Sequence, residues 1–188
     1  TRPLILRKIG IGDTWRSITA REFYDEVHAL AAGLIARGLE PGDRVAIMSR
    51  TRYEWTLLDF ACWAAGLVPV PIYETSSIDQ VAHVLIDADV HLIITETVSM
   101  AEIVRAAAAR EKRDNTHVLS LDSEAIETLI AEGSATPRER VLARSEALTK
   151  DDIATIVYTS GTTGTPKGTV LSHENFTNLC LNAHAWMP

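Results

Sequence analysis

Between Tyr158 and His173 the chain reads YTSGTTGTPKGTVLSH, and the apolar run IATIV leads directly into it. The hydroxyls of Thr159, Ser160, Thr162 and Thr163 can donate as well as accept hydrogen bonds. Gly161 and Gly164 permit left-handed backbone and close approach to a ligand. Successive amide groups in such a turn can converge on an anion. Lys167 adds a full positive charge on a flexible stem, and Pro166 fixes the backbone just before it. Together these residues suit the grip on a polyphosphate at the carboxyl end of a parallel strand, where α/β sheets hold ligands. A solvated surface loop would also be rich in glycine and threonine, but it has no need of a buried strand before it and Pro-Lys-Gly after it. The spacing is not that of a Walker loop. Counted from Gly161, Pro166 stands in place of the second glycine and Gly168 in place of the magnesium-binding hydroxyl.

The rest of the chain must position this loop, and its apolar periodicity alternates between strand and helix. LILRKIGIGDTWRSIT predicts two short strands around a Gly-Ile-Gly-Asp turn. Gly10 and Gly12 do not make a dinucleotide fingerprint, because Trp15 stands where the third glycine belongs. Thr19 and Glu22 form a capping box. Phe23, Val27, Leu30, Ala31 and Leu34 then follow at helical spacing, with Gly38 as a stop. RVAIMS reads as a strand buried on both faces. Helices are predicted over 53–65, 78–88, 99–110 and 123–131, with strands VHLIIT and HVLSL among them. LVPVPIY is extended, since the residue before each proline leaves the helical region. REKRDN and EGSATPRER read as charged or turn-rich loops. IATIVY, the loop, GTVLSH as a further strand and a helix from Glu174 complete the sequence. The pattern is that of parallel βαβ units with helices on both faces, an α/β fold.

Bulk properties narrow the function. With 188 residues the chain can build a sizeable core. Its 46% hydrophobic and 23% charged residues are those of a globular domain. A net charge of −7 argues against a nucleic-acid partner, yet leaves room for one cationic pocket. The apolar region from Leu57 to Tyr73 is broken by Asp59, Pro69 and Pro71 and is no membrane span. TRPLILRK lacks the features of a secretory signal, and its opening on Thr1 suggests that the native start is missing. Cys62 and Cys180 read as two buried, reduced thiols.

YTSGTTGTPKG followed by LSH resembles the phosphate-binding signature of the adenylate-forming enzymes, the family of acyl-CoA synthetases, firefly luciferases and peptide-synthetase adenylation domains. Thr169 stands where many members carry valine or alanine, which leaves the phosphate chemistry untouched. Upstream, GDRVAIMSRTRYEWTLLDFACWAAGLVPVPIYETSS is similar to the family's early region, and PIYETSS to bacterial long-chain fatty-acid–CoA ligases in particular. The resemblance covers nearly the whole chain. It implies parallel βαβ layers of the acetyl-CoA synthetase-like large N-terminal domain, incomplete in residues 1–188. It also implies a two-step reaction in which a carboxylate attacks the α-phosphate of ATP and coenzyme A then displaces AMP. Thr159, Ser160, Gly161, Thr162, Thr163, Gly164 and Lys167 would embrace the β- and γ-phosphates, with Mg²⁺ placed by a threonine, Thr163. ATP, fatty acid and coenzyme A are the implied small-molecule partners. A cytoplasmic location with peripheral membrane contact is expected.

The family's adenine, ribose and magnesium-glutamate segments and its C-terminal catalytic lysine cannot be found before Pro188. The expectation is therefore an N-terminal portion of a much longer ligase, inactive by itself, with no catalytic residue of its own. Two other readings share the loop: an aryl-CoA ligase or amino-acid adenylation domain, and a nucleotide-binding module without chemistry. Of the remaining residues, His173 reads as a cap or packing group, and His28, His83, His91, His117 and His184 show no zinc spacing. Trp55 and Trp63, two turns apart, read as core rather than acyl tunnel. Glu74, Thr75, Ser76 and Ser77 read as a turn or helix cap, and Asp151 and Asp152 as a solvated loop.

Overall fold

Thr19 opens the first helix as its sequence predicts. Its side chain accepts from the Glu22 amide at 3.2 Å, and the Glu22 carboxylate accepts from the Thr19 amide at 2.8 Å. The computed structural model describes residues 3–9, 14–159 and 165–186. Strands β1 (Pro3–Lys8) and β2 (Trp15–Thr19) pair antiparallel and lead into helix α1 (Ala20–Ala36). The Gly-Ile-Gly-Asp turn lies outside the described residues. Gly38, with φ of +82°, ends α1 in the left-handed region that favours glycine.

The centre is a parallel sheet of β3 (Arg44–Met48), β4 (Val68–Ile72), β5 (Leu92–Thr95) and β6 (His117–Ser120), in the order β4-β3-β5-β6. Helices α2 (Tyr53–Ala64), α3 (Ile78–Asp87), α4 (Val98–Arg110) and α5 (Ala125–Gly133) connect or follow its strands. Successive strand residues point to opposite faces, so the consecutive apolar residues of β3 and β5 feed two cores. Val45, Ile47, Leu92 and Ile94 pack with α1, α2 and α5, while Ala46, Met48 and Ile93 pack with α3 and α4. Each such buried valine, leucine, isoleucine or methionine contributes about 1.5–3 kcal/mol relative to exposure. Helices α1 and α5 cross so closely that a methyl on Gly33 would lie 2.1 Å from the Leu129 carbonyl oxygen. The reading as an α/β fold with a doubly covered parallel sheet holds.

Two features depart from the sequence reading. RER of the stretch read as a loop instead opens helix α6 (Arg138–Ala147), which starts just after Pro137 and buries only Val141 among its residues. Its charged composition is that of a helix lying on the surface, where one apolar contact suffices. The second departure concerns β7 (Ile153–Thr159). It pairs antiparallel with β8 (Lys167–Ser172) in a separate ribbon and does not join the parallel ladder. It lies beside β4, whose Pro69 carbonyl accepts from Thr155 Oγ1 at 2.8 Å. Pro69 and Pro71 therefore face β7, and proline has no N–H to offer a ladder on that edge. Helix α7 (His173–Trp186) follows β8 directly. Among the described residues no helix is long and apolar enough to cross a membrane.

Candidate functional site

The ribbon carries the conspicuous loop at its tip. β7 runs along β4 in the same sense. Thr155 meets Pro69, and further on Tyr158 and Thr159 border a cavity with Pro71, Ile72 and Tyr73. β7 thus ends at the carboxyl edge of the parallel sheet without being one of its strands. Trp63 of α2 anchors the start of β7 by donating from Nε1 to the Ala154 carbonyl at 2.7 Å, while His173 and Phe176 pack edge-on against its ring. His173 is accordingly a packing residue, and burial lowers its basicity.

The antiparallel register sets Thr159 opposite Lys167 and Tyr158 opposite Gly168. Directly opposed residues share a face of the ribbon, so a hydroxyl and an ammonium stand together at the loop's base. Both residues are exposed, and among the described residues Lys167 has no carboxylate partner. Thr159 and Pro166 line the cavity of about 290 Å³ at this edge. Ser160, Gly161, Thr162, Thr163 and Gly164 lie outside the described residues, and with them the candidate magnesium ligand Thr163. No group of three or more His, Cys, Asp or Glu side chains gathers elsewhere among the described residues as a metal site requires. Larger hollows of about 690 and 750 Å³ lie beside the β1–β2 hairpin and at the amino-terminal ends of β3 and β4. Size alone does not pick out the loop; its chemistry does.

Helix α3 touches both stems of the loop. His83 Nε2 lies 2.8 Å from the Pro166 carbonyl oxygen. A carbonyl only accepts, so Nε2 carries the proton. One turn further on, Asp87 Oδ2 accepts from the Tyr158 hydroxyl at 2.6 Å, and the His83 and Tyr158 rings meet edge to face at 5.8 Å. Burial and the Asp87 carboxylate both push the Tyr158 phenol above its ordinary range. A methyl on Gly168 would lie 3.1 Å from Tyr158 Cζ and 3.0 Å from Ile156 Cγ2, so the glycine of Pro-Lys-Gly makes room for the tyrosine. Ser77 caps α3 with a full capping box shared with Gln80, which gives the YETSS segment the cap its sequence suggested.

The same edge holds a buried charge that sequence patterns did not reveal. Glu96, just past β5, accepts from Arg50 Nη2 at 2.5 Å and from the Arg50 amide at 2.9 Å. The Arg50 guanidinium holds this carboxyl down at about 2. A glutamate one residue after the apolar LII was the available signal. Nearby cavity walls at Trp55, Tyr73 and Val157 enclose about 350 Å³. Cys62 is buried, and burial raises its thiol, whereas Cys180 on α7 is exposed, against the sequence reading of two buried thiols.

The family model described as AMP-binding enzyme matches residues 4–188. The chain belongs to that family. It is 40% identical over 180 residues to the long-chain-fatty-acid–CoA ligase FadD15 of Mycobacterium bovis, an alignment that covers 95% of this chain and 30% of that protein. Among solved structures, ATP-bound MatB from Rhodopseudomonas palustris superposes with a TM-score of 0.71 at 27% identity, over 95% of this chain and 34% of that one. A Mycobacterium tuberculosis fatty acyl CoA synthetase superposes with a TM-score of 0.68 at 27% identity, over 85% of this chain and 30% of that one. The chain thus spans about a third of the length of these proteins.

Proposed function

We propose that the chain supplies the triphosphate grip of an AMP-forming ligase that activates a long-chain fatty acid and passes it to coenzyme A. In this reading residues 1–188 form the N-terminal portion of the large adenylate-forming domain, in a cytoplasmic enzyme that meets membranes only peripherally. The observation that carries it is the Thr159–Lys167 register, in which Thr159 lines a cavity at the sheet's carboxyl edge and the lysine opposite it has no carboxylate partner among the described residues. The 40% identity to FadD15 supports the long-chain substrate.

Thr159, Ser160, Gly161, Thr162, Thr163, Gly164 and Lys167 embrace the β- and γ-phosphates of ATP. An oxygen of the fatty-acid carboxylate attacks the α-phosphorus, and the bond to the pyrophosphate oxygen breaks. The thiolate of coenzyme A then attacks the acyl carbonyl, and AMP leaves with the electron pair. The chain's contribution is to hold one anion against another and to spread the charge that grows on the departing pyrophosphate. Mg²⁺, with Thr163 helping to hold it, would neutralise part of that charge.

The test is Lys167→Ala in the full-length ligase, with the two half-reactions assayed separately. Adenylation slows about a hundredfold, while thioester formation from preformed acyl-adenylate is little changed. Equal slowing of both half-reactions would remove the phosphate role. The chain alone is inactive on this account, so fatty-acid-dependent pyrophosphate exchange by the purified chain would contradict it.

A further inference from the structure

We infer that His83 and Asp87 of α3 are positioning residues that set the two stems of the phosphate loop, His83 through the Pro166 carbonyl and Asp87 through the Tyr158 hydroxyl. The inference rests on the phosphate reading of that loop. A two-stranded ribbon has little stability of its own, and β4 offers it no N–H at Pro69 or Pro71. Side chains must therefore fix its place. At the far end of the ribbon Trp63 and Thr155 do so, through the Ala154 and Pro69 carbonyls. At the loop end Tyr158 packs against β3 and β4, but the described side-chain hydrogen bonds that hold the stems come from α3. His83 and Asp87 stand four residues apart and so share a helix face. They reach Tyr158, the residue before Thr159, and Pro166, the residue before Lys167.

The carbonyl that His83 holds belongs to the peptide unit joining Pro166 to Lys167. Fixing that plane fixes the direction in which the lysine stem leaves the backbone. Pro166 cannot relax through its own φ, so loss of the His83 bond is felt at Lys167. Asp87 acts in the same way on the other stem. The Tyr158 ring that it holds lies over Gly168, next in line after Lys167. Neither side chain touches the nucleotide in this scheme; both act through the main chain that does.

A packing role and a positioning role make opposite demands at residue 83. His83→Phe keeps a ring against Tyr158 and loses the donor, whereas His83→Gln keeps an N–H donor and loses the ring. Hydrogen exchange of residues 158–168 and MgATP affinity by titration calorimetry are measured on the full-length ligase, with melting temperature as a control. His83→Phe raises exchange and weakens MgATP binding, each roughly two- to tenfold as expected for one hydrogen bond, at an unchanged melting temperature. His83→Gln recovers most of both. Tyr158→Phe, which retains its ring, gives the same loss through the other stem. If His83→Phe matches the wild type in both readouts, or His83→Gln is the worse variant, His83 is a packing residue and the inference is overturned. If the ligase binds MgATP no more weakly after Lys167→Ala while His83→Phe still raises exchange, the phosphate reading fails and the hold on the stems stands.

Discussion

Gly168→Ala measures how tightly the ribbon tip is built. The added methyl would sit 3.0 Å from Ile156 Cγ2, 3.1 Å from Tyr158 Cζ and 3.3 Å from the Tyr158 hydroxyl oxygen. Carbon atoms prefer about 3.5–4.0 Å, so ring and branch must retreat by roughly half an ångström. The ring is not free to retreat, because its hydroxyl is held by Asp87 at 2.6 Å. Overpacking of this kind costs about 1–3 kcal/mol. Loss of glycine's freedom in the unfolded chain returns about 0.4–1 kcal/mol. Taking the middle of each range, the net destabilisation is about 1.3 kcal/mol, which for a chain of this size lowers the melting temperature by about 3–5 °C. Urea denaturation of Gly168→Ala, Tyr158→Phe and the double variant forms the assay. With the hydroxyl gone the ring can shift, so the glycine substitution costs less in the Tyr158→Phe background, by roughly 0.5 kcal/mol or more. A Gly168→Ala protein as stable as the wild type, or costs that simply add, would refute this account of the tip.

Two further outcomes concern titrating carboxyls. Glu96 is held at about 2 in the fold, below its ordinary 4.5. Its stabilisation is therefore complete above the unfolded value and is lost as pH falls from about 4.5 towards 2. Glu96→Gln should lower stability by about 1–3 kcal/mol at pH 7 and by progressively less across that acid window, read from denaturation midpoints against pH. Asp59 is the opposite case, because burial raises it from 3.8 to about 7. Folding favours its protonated form, so that contribution fades as pH rises from about 4 through about 7. Asp59→Asn should stabilise the chain at pH 8 by up to a few kcal/mol and have little effect at pH 4. A pH-independent effect would show that Asp59 is not desolvated.

Much of the scaffold was legible because its signals are local. The Thr19–Glu22 box spans one turn, and the apolar run VAIM after Arg44 reads as a strand covered on both faces. The departures came from tertiary context. α6 carries so little apolar surface that its charge outweighed its helical propensity, although a proline followed by RERVLARSEA is a helix opening. β7 looked like one more parallel strand, and only its placement beside a proline-bearing edge shows why it pairs with β8 instead. The proposed phosphate chemistry of the loop rests on the types and order of residues 159–167. The hold that α3 exerts on the loop was not legible there, since His83 meets a main-chain carbonyl 83 positions away and no side-chain motif records such a partner. Arg50 and Glu96, 46 positions apart, were hidden for the same reason.

The central claim is that the Lys167 ammonium meets the phosphates of ATP, and its chemical accessibility reports this directly. Lysines of the full-length ligase are reductively methylated with and without MgATP, and the rate at Lys167 is read by peptide mass spectrometry. The account predicts that MgATP and tripolyphosphate slow modification of Lys167 severalfold, that adenosine does not, and that the exposed Lys150 is unaffected by any of them. Equal rates at Lys167 with and without MgATP, under conditions where the enzyme is saturated, would contradict it.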